Sequence, residues 1–418
     1  MTEPPGTQTG DEPMNEREKA LAPSGCDEIR CGMKTTQRSR PSIARYAALA
    51  AIGALFVGTL PLDAELPTAQ MPPASEIDAV FAEYNVPGSA GCALGVSRDG
   101  ELVYEKGYGY ANLDWHIPVT PTTAFYVGSV AKQFTAAAIA LLAHEGKLDL
   151  DDEIREYLPE MPVRDPAITI RHMIHHMSGL PDLWLVMRRN GHPTADLFTR
   201  EQALELLAQQ ELAFPPGDQF EYSNGGYFAL GMIVERASGT SLREYAAEKI
   251  FGPLGMTDTH YHDDPTHIVA RRALSYQLRE PGGPGIEGKY FQSYQGNFAL
   301  PGPGGLYTTV EDMLQWERSF LDNRLGGPDF MEVTHTNGIL NSGEVLNYAF
   351  GLREDERGGL RTVGHGGAYM GFQAIYHRFP EQRFATWVFC NSGRISPNTL
   401  ALRVADLFLA EEMGHWGE

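Results

Sequence analysis

Three groups of residues carry side chains that could perform acyl-transfer chemistry, and the first is a serine followed by a lysine. Ser129 and Lys132 are three residues apart, so on a helix their side chains share one face. Free N–H groups at a helix N-terminus stabilise an oxyanion, and a lysine whose pKa is lowered by burial can take the serine proton. The pair therefore indicates a nucleophile with its base. A helix-capping serine beside a surface lysine would produce the same spacing.

The other two groups lie about 90 and 230 residues further on. Tyr222 can pass a proton if neighbouring cations lower its pKa, and the amide of Asn224 can donate to a substrate carbonyl. In His365-Gly366-Gly367 the glycines would let a substrate backbone approach a strand edge closely, and the imidazole can form a hydrogen bond with it. Taken alone, each group is also compatible with an ordinary turn.

In this order, the three motifs resemble those of the serine β-lactamase and penicillin-binding-protein superfamily. The surrounding segments follow the same pattern over roughly residues 74–410, among them TTAFYVGSVAKQFTAAAIALL, FEYSNGGYFALGMIVERASG and GPGGLYTTVEDMLQW. The nearer resemblance is to the class C β-lactamase-like group, which also holds esterases and D-amino-acid peptidases. It implies an α/β (α+β) fold of the β-lactamase/transpeptidase type, with an antiparallel sheet flanked by helices and an inserted all-α domain.

The resemblance also implies a role for each motif residue. Ser129 corresponds to the acylated nucleophile, and Lys132 and Tyr222 to the pair that activates it and protonates the leaving group. Asn224 corresponds to the side chain that orients the substrate. His365 is predicted to act with these catalytic residues.

The third motif is expected on an edge strand, where Gly366 and Gly367 contact the substrate. The backbone N–H groups of Ser129 and Ala368 would form the oxyanion hole. The implied reaction is hydrolysis of an ester or an amide (peptide-like) bond through an acyl-enzyme. The expected partner is a small-molecule or peptide-like substrate, and neither a metal nor an organic cofactor is implied.

The third motif departs from the pattern of the β-lactamases in this group, which usually carry Lys-Thr-Gly. His365 replaces the lysine, and histidine is neutral for much of the time near pH 7. A fixed positive charge for the β-lactam carboxylate is therefore missing, which favours an esterase or peptidase. One alternative is a true β-lactamase. Another is a non-catalytic protein that binds cell-wall peptides in the same cleft.

The elements that must position these residues can be predicted along residues 74–412. Asp99-Gly100 between two apolar runs predicts a β-hairpin, and the segment after Ser129 has the apolar spacing of a helix. Helical patterns dominate about residues 168–290, and three strand-like runs and a helix follow. Strands at both ends with helices between them predict one composite α/β domain with an inserted helical subdomain.

The N-terminal part has a different character. Residues 1–32 are polar and acidic, and we interpret them as disordered or as an over-extension of the reading frame. Residues 33–64 combine a basic stretch with the apolar run 46–60, which predicts a signal peptide and export to a periplasmic or extracellular location. A membrane anchor through residues 46–60 is the alternative.

Charge and cysteine content exclude some classes of protein. The chain has 418 residues with 33 basic and 54 acidic side chains, a net charge of −21. Because nucleic-acid binding needs a basic face, neither DNA nor RNA is expected as a partner. Cys92 and Cys390 lie in apolar runs and are expected to be two buried core thiols. A disulfide is the alternative if their strands are neighbours.

Two groups of histidines lie outside the motifs. His172, His175 and His176 form a cluster that zinc could use, but packing and hydrogen bonding are the better interpretation. His260 and His262 precede two aspartates and are expected in a solvated loop. The sequence therefore predicts no metal site.

Overall fold

The computed structural model describes residues 71–192, 197–279, 290–296 and 299–414. The predictions for residues 1–32 and 33–64 concern segments outside these ranges. Within the ranges, each helix is either too short or too polar to span a bilayer.

Strands occur mainly at the two ends of the described chain. In chain order they are β1 (Cys92–Arg98), β2 (Glu101–Tyr108), β3 (Tyr110–Asn112), β4 (Ile117–Pro118), β5 (Phe125–Tyr126), β6 (His260–Tyr261), β7 (Tyr276–Arg279), β8 (Tyr290–Ser293), β9 (Leu306–Thr308), β10 (Arg353–Arg357), β11 (Leu360–Tyr369), β12 (Phe372–Phe379) and β13 (Phe384–Cys390).

Helices fill the middle of the chain and flank the strands. They are α1 (Ala74–Val80), α2 (Lys132–His144), α3 (Ile170–Ile174), α4 (Leu183–Arg189), α5 (Arg200–Ala208), α6 (Asn224–Ser238), α7 (Leu242–Ala246), α8 (Gly252–Leu254), α9 (Val310–Asp322), α10 (Gly327–Thr334) and α11 (Pro397–Phe408). Short 3₁₀ turns lie at Gly128–Ala131, Ile154–Glu156 and Pro380–Gln382, and a π-helical turn at Ala247–Phe251.

The main sheet has six antiparallel strands in the order β10-β11-β12-β13-β1-β2. The predicted hairpin between β1 and β2 is confirmed: Asp99 and Gly100 have φ values of 53° and 78°, as a type I′ turn requires. The three strand-like runs predicted near the C-terminus are β11, β12 and β13. Because β13 pairs with β1, the two ends of the described chain form a single sheet.

The expectation of two buried thiols is wrong. The antiparallel register places Cys92 of β1 directly opposite Cys390 of β13, and the two form a disulfide. Sequence spacing could not decide this, because the 298 residues between them leave open whether the strands are neighbours.

The two faces of the sheet pack against different helices, as the two-residue period of a strand allows. On one face, Leu94 and Val96 pack with α1 and α11, including Val404. On the other, Trp387 belongs to the larger core that includes α2 and α9, with Phe134 among its members. Helix α2 is buried along nearly its whole length. It is therefore the central helix of the fold, and its N-terminus meets β11.

Candidate active site

Ser129 lies in the 3₁₀ turn that leads into α2, at the point where this turn meets β11. Gly128 has a φ of +52°, and a Cβ at this position would lie 2.6 Å from the backbone nitrogen of Ala368. A side chain here would therefore both strain the turn and collide with the strand. The Ser129 side chain makes no capping hydrogen bond and is half-buried. The interpretation of this serine as a helix cap is wrong.

Lys132 is completely buried, so its interpretation as a surface residue is also wrong. Its Nζ lies 3.1 Å from Ser129 Oγ, 2.8 Å from Asn224 Oδ1 and 2.8 Å from the carbonyl oxygen of Pro303. Burial lowers the pKa of Lys132 well below its usual value, and the charge of Asp182 partly opposes this. A neutral amine can donate its two N–H groups to the Asn224 and Pro303 oxygens. Its lone pair can then accept the hydroxyl proton of Ser129.

Tyr222 completes the polar group around Ser129. The Ser129 side chain is close enough to lower the pKa of the Tyr222 hydroxyl, by less than burial raises it, and Lys132 Nζ lies 4.7 Å from the Tyr222 ring centroid. Burial raises the pKa of Tyr222, so the phenol is protonated at neutral pH. In this state Tyr222 is a proton donor. The condition set in the sequence analysis, that neighbouring cations lower the pKa of Tyr222, is therefore not met.

Asn224 is the first residue of α6, and its side chain is held by Asp182, which belongs to none of the three motifs. Asp182 caps α4 by accepting from Leu185 N at 3.1 Å. Its other carboxylate oxygen accepts from Asn224 Nδ2 at 2.6 Å and from Asn224 N at 3.2 Å. Because the amide nitrogen faces Asp182, the amide oxygen faces Lys132. In the sequence, Asp182 can be recognised only as a capping aspartate before a helical run. That pattern does not reveal its contact with Asn224.

The third motif lies on β11 where the strand loses its outer partner. The expectation of an edge strand is wrong, because β10 lies outside β11 in the sheet, but the pairing of β11 with β10 ends at Gly364, one residue before His365. A Cβ on Gly367 would lie 2.0 Å from Val127 O and 2.9 Å from Ser129 N, whereas a Cβ on Gly366 would make only ordinary van der Waals contact, 3.5 Å from Ile375 Cδ1. Glycine at position 367 thus lets β11 touch the Ser129 turn. The backbone nitrogens of Ser129 and Ala368 lie on these two touching segments.

His365 faces the cleft with aromatic neighbours. Its Nε2 lies 3.1 Å from the Tyr348 hydroxyl and its Nδ1 lies 2.5 Å from Gly366 O. The ring centroid is 6.0 Å from that of Tyr222. Burial, helped by the charge of Lys132, lowers the pKa of His365 to about 3, so the ring is neutral at physiological pH. Tyr348 likewise belongs to none of the three motifs, so the sequence did not identify it as a residue of the site.

The histidine cluster packs and forms hydrogen bonds. His172 belongs to the capping box of α3, and His175 Nδ1 lies 3.1 Å from Tyr348 O. His176 is buried, its Nδ1 accepts from Ser223 N at 3.1 Å, and its ring packs on that of Tyr222 at 4.4 Å between centroids. Among the residues that the structure describes, no group of histidine, cysteine and acidic side chains could hold a metal ion.

The prediction of a solvated loop at His260 and His262 is wrong. His260 lies in β6, paired with β9, and His262 is 6% exposed. Both rings pack against Tyr307 of β9, with centroids 5.9 and 5.3 Å away. The two aspartates that follow gave the segment a polar character, while tertiary packing of aromatic rings decided its burial.

Comparisons with known proteins agree with this geometry. The Beta-lactamase family model matches residues 77–409. A D-aminopeptidase of Cereibacter sphaeroides is 29% identical over 340 residues, which cover 81% of this chain and 62% of the relative. This chain therefore spans about three fifths of the length of the curated relatives it matches.

Two solved structures share the fold. The octameric penicillin-binding protein homologue from Pyrococcus abyssi is 28% identical with a TM-score of 0.68, over 81% of this chain and 76% of that chain. The D-amino acid amidase from Ochrobactrum anthropi SV3, complexed with L-phenylalanine amide, is 25% identical with a TM-score of 0.68, over 81% and 99%.

The family match covers most of the chain and includes all three motifs. Together with the solved structures, it confirms both the resemblance and the fold class that the motifs predicted. The chain belongs to the Beta-lactamase family.

Proposed function

We propose that this protein hydrolyses amide bonds of amino-acid amides or short peptides through an acyl-enzyme on Ser129. The observation that carries the proposal is the buried amine of Lys132, 3.1 Å from Ser129 Oγ and held by two further oxygens. A neutral amine in this position is a base, and an amide needs both a base and a proton donor for its poor leaving group.

The reaction proceeds in balanced proton transfers. Ser129 Oγ attacks the scissile carbonyl and its proton passes to Lys132 Nζ, while the N–H groups of Ser129 and Ala368 receive the oxyanion. The C–N bond then breaks as Tyr222 gives its hydroxyl proton to the leaving amine, and the Lys132 ammonium returns a proton to Tyr222. Water then attacks the resulting ester, and its proton goes to the Tyr222–Lys132 pair. The bond between the acyl carbon and Ser129 Oγ breaks as the pair returns this proton to Oγ, which releases the acid and restores the serine hydroxyl.

Two findings favour an amide over a β-lactam. The neutral ring of His365 supplies no fixed positive charge for a β-lactam carboxylate. The similarity to D-aminopeptidases and to a D-amino acid amidase supports an amino-acid substrate with a D-residue on the acyl side. Hydrolysis of esters is compatible with the same machinery, since an ester has the better leaving group.

We further propose that the protein is exported. The disulfide between Cys92 and Cys390 supports an oxidising compartment, in which such bonds persist. The basic and apolar character of residues 33–64 supports the same location.

The test compares rates on a chromogenic D-amino-acid anilide, a short-chain chromogenic ester and a chromogenic cephalosporin, with Ser129→Ala as the control. The proposal predicts that anilide turnover exceeds cephalosporin turnover and that both are lost in Ser129→Ala. Faster cephalosporin turnover would support a β-lactamase instead. Binding of all three compounds without turnover would support the non-catalytic alternative.

A further inference from the structure

A groove of about 360 Å³ continues from the active site along β10 and β11. Tyr222 and His365 line its catalytic end, and Arg353 and Asp355 of β10 line it further out. In the register of the two strands, Arg353 lies opposite Gly364 and Asp355 opposite Thr362. The positive charge is therefore the one nearer to the catalytic end.

Arg353 is exposed and lacks an ion-pair partner within the described residues. Its neighbours on the same two strands are paired: Arg357 with Asp406 at 2.6 Å, and Arg361 with Glu354. The charge of Arg353 contributes to lowering the pKa of His365, so the guanidinium acts on the catalytic end of the groove. Because it is exposed and lines the groove, this guanidinium is accessible to an anion that enters from solvent.

The proposed proton transfers determine which part of the substrate, the acyl group or the leaving group, lies in this groove. Tyr222 gives its proton to the leaving amine, and Tyr222 lines the groove. The leaving group therefore lies on the groove side of the scissile bond. An anion on the leaving group would point along β11 towards Arg353.

The spacing along β11 sets the length of that leaving group. Gly364, opposite Arg353, precedes Ala368 by four residues, which is about 13 Å at the rise of an extended strand. An arginine side chain extended along the groove towards the catalytic end would cover about half of this distance, ~6–7 Å. The remainder matches two peptide residues at about 3.3–3.6 Å each. A carboxylate one residue from the scissile bond, as in an amino-acid leaving group, falls short of Arg353.

We propose that Arg353 binds the free carboxylate of a two-residue leaving group, so that the preferred substrates are short peptides with a free C-terminus. A guanidinium recognises a carboxylate through two parallel charge-assisted hydrogen bonds. A longer leaving group would pass Arg353 and meet the negative charge of Asp355. The inference rests on the proposed function, because it requires amide hydrolysis at Ser129.

The experiment compares kcat/KM for D-Ala-Gly-Gly with that for its C-terminal amide, which has the same scissile bond and length. The wild-type protein is expected to prefer the free acid. Arg353→Gln should lower the acid-to-amide ratio by about 10- to 100-fold, mainly through KM, and Arg353→Lys should restore part of it. Arg357→Gln removes a charge from the same strand outside the groove, so it should retain the wild-type ratio.

The outcomes separate the two proposals. If both peptides are hydrolysed and the ratio does not change in Arg353→Gln, the role of Arg353 is wrong while the proposed function stands. If the wild-type protein prefers the C-terminal amide over the free acid, the role of Arg353 is also wrong while the proposed function stands. If neither these peptides nor a D-amino-acid anilide is hydrolysed, the proposed function fails and the inference fails with it.

Discussion

At the scale of single residues, the proposed chemistry depends on the protonation state of Lys132. Its amine has no solvent exposure and contacts only oxygen atoms at hydrogen-bond distance: one hydroxyl, one side-chain amide and one backbone carbonyl. Each of these groups can form a hydrogen bond with the amine, but none of the three carries a negative charge. The ammonium form therefore lacks the partner that would compensate for its desolvation.

The first prediction concerns the pH dependence of kcat/KM. Protonated Lys132 cannot accept the Ser129 proton, so activity rises as pH increases through the pKa of Lys132. Because burial holds that pKa well below 10.5, the plateau is reached well below pH 10. His365, with a pKa of about 3, adds no second step between pH 5 and 8. A pH–rate profile with its midpoint near pH 10 would contradict this assignment.

Lys132→Arg is the matching variant, because arginine retains a long side chain that ends in N–H donors but stays protonated. We expect kcat/KM to fall about 10²- to 10⁴-fold, the usual contribution of a general base. Circular dichroism would verify that the variant is folded. Activity near that of the wild type would show that residue 132 need not be neutral.

The second prediction tests the positioning of Asn224 by Asp182. Asp182→Asn keeps a side chain that can cap α4 but removes the negative charge. That charge raises the pKa of Lys132, so its loss should move the midpoint of the pH profile to lower pH. The plateau of kcat/KM should also fall about tenfold, because Asn224 loses a charged acceptor. An unchanged or higher midpoint would refute this role.

The sequence indicated Ser129, Lys132 and Tyr222 because their residue types and order are unusual in combination. It did not indicate Asp182 or the Pro303 carbonyl. Both contact the motif residues only through tertiary packing, at separations of 42 and 171 residues. A capping aspartate and a glycine-rich loop have ordinary local explanations, so nothing in their own segments sets them apart.

At the scale of elements, the site depends on the contact between β11 and the 3₁₀ turn that carries Ser129. Two glycines make this contact close: Gly128 on the turn and Gly367 on the strand. Each occupies a position where an added Cβ would touch backbone atoms of the other element. The spacing between the nitrogens of Ser129 and Ala368 is therefore fixed by backbone packing.

The third prediction uses the two glycines of the third motif as a matched pair. The Cβ of Gly367→Ala would lie 2.0 Å from Val127 O, so β11 or the turn must shift. We expect kcat/KM to fall by about 10²-fold or more, and the free energy of unfolding to fall by about 1–3 kcal/mol. In Gly366→Ala the nearest atom is a flexible side-chain atom of Ile375 at 3.5 Å, so unfolding should be close to wild type.

Denaturant unfolding and steady-state kinetics on both variants provide the measurement. Equal unfolding midpoints for the two alanine variants would contradict the close contact described for Gly367.

Elements with strong local signals were predicted well, whereas short ones were not. The turn at Asp99-Gly100 follows from backbone preference, and β11 to β13 follow from short strand-like runs separated by turn residues. The two-residue strand β6 has no such pattern and exists because β9 pairs with it. For this reason the burial of His262 could not be read from its own segment.

At the scale of the whole molecule, strands from both ends of the described chain form one sheet, and a covalent bond joins them. Cys92 and Cys390 link β1 to β13 across 298 residues. The pair joins the hairpin of β1 and β2 to the four C-terminal strands, at the first residue of β1 and the last residue of β13. A cross-link that closes so long a loop restricts the unfolded chain strongly.

The fourth prediction is that this disulfide stabilises the fold by about 2–5 kcal/mol. Urea unfolding of the wild-type protein should show a lower midpoint when a thiol reductant is present throughout. The double variant Cys92→Ala/Cys390→Ala should unfold at a lower midpoint in either condition and should not respond to the reductant. A wild-type midpoint that is independent of the reductant would contradict a stabilising disulfide.

The most direct test of the account is to identify the residue that becomes acylated or phosphonylated. The purified protein is incubated with a fluorophosphonate, and its intact mass and peptide map are measured beside those of Ser129→Ala and Lys132→Arg. We expect one adduct per chain on Ser129, slower labelling in Lys132→Arg, and none in Ser129→Ala. An adduct on another residue, or equal labelling of a folded Ser129→Ala variant, would contradict it.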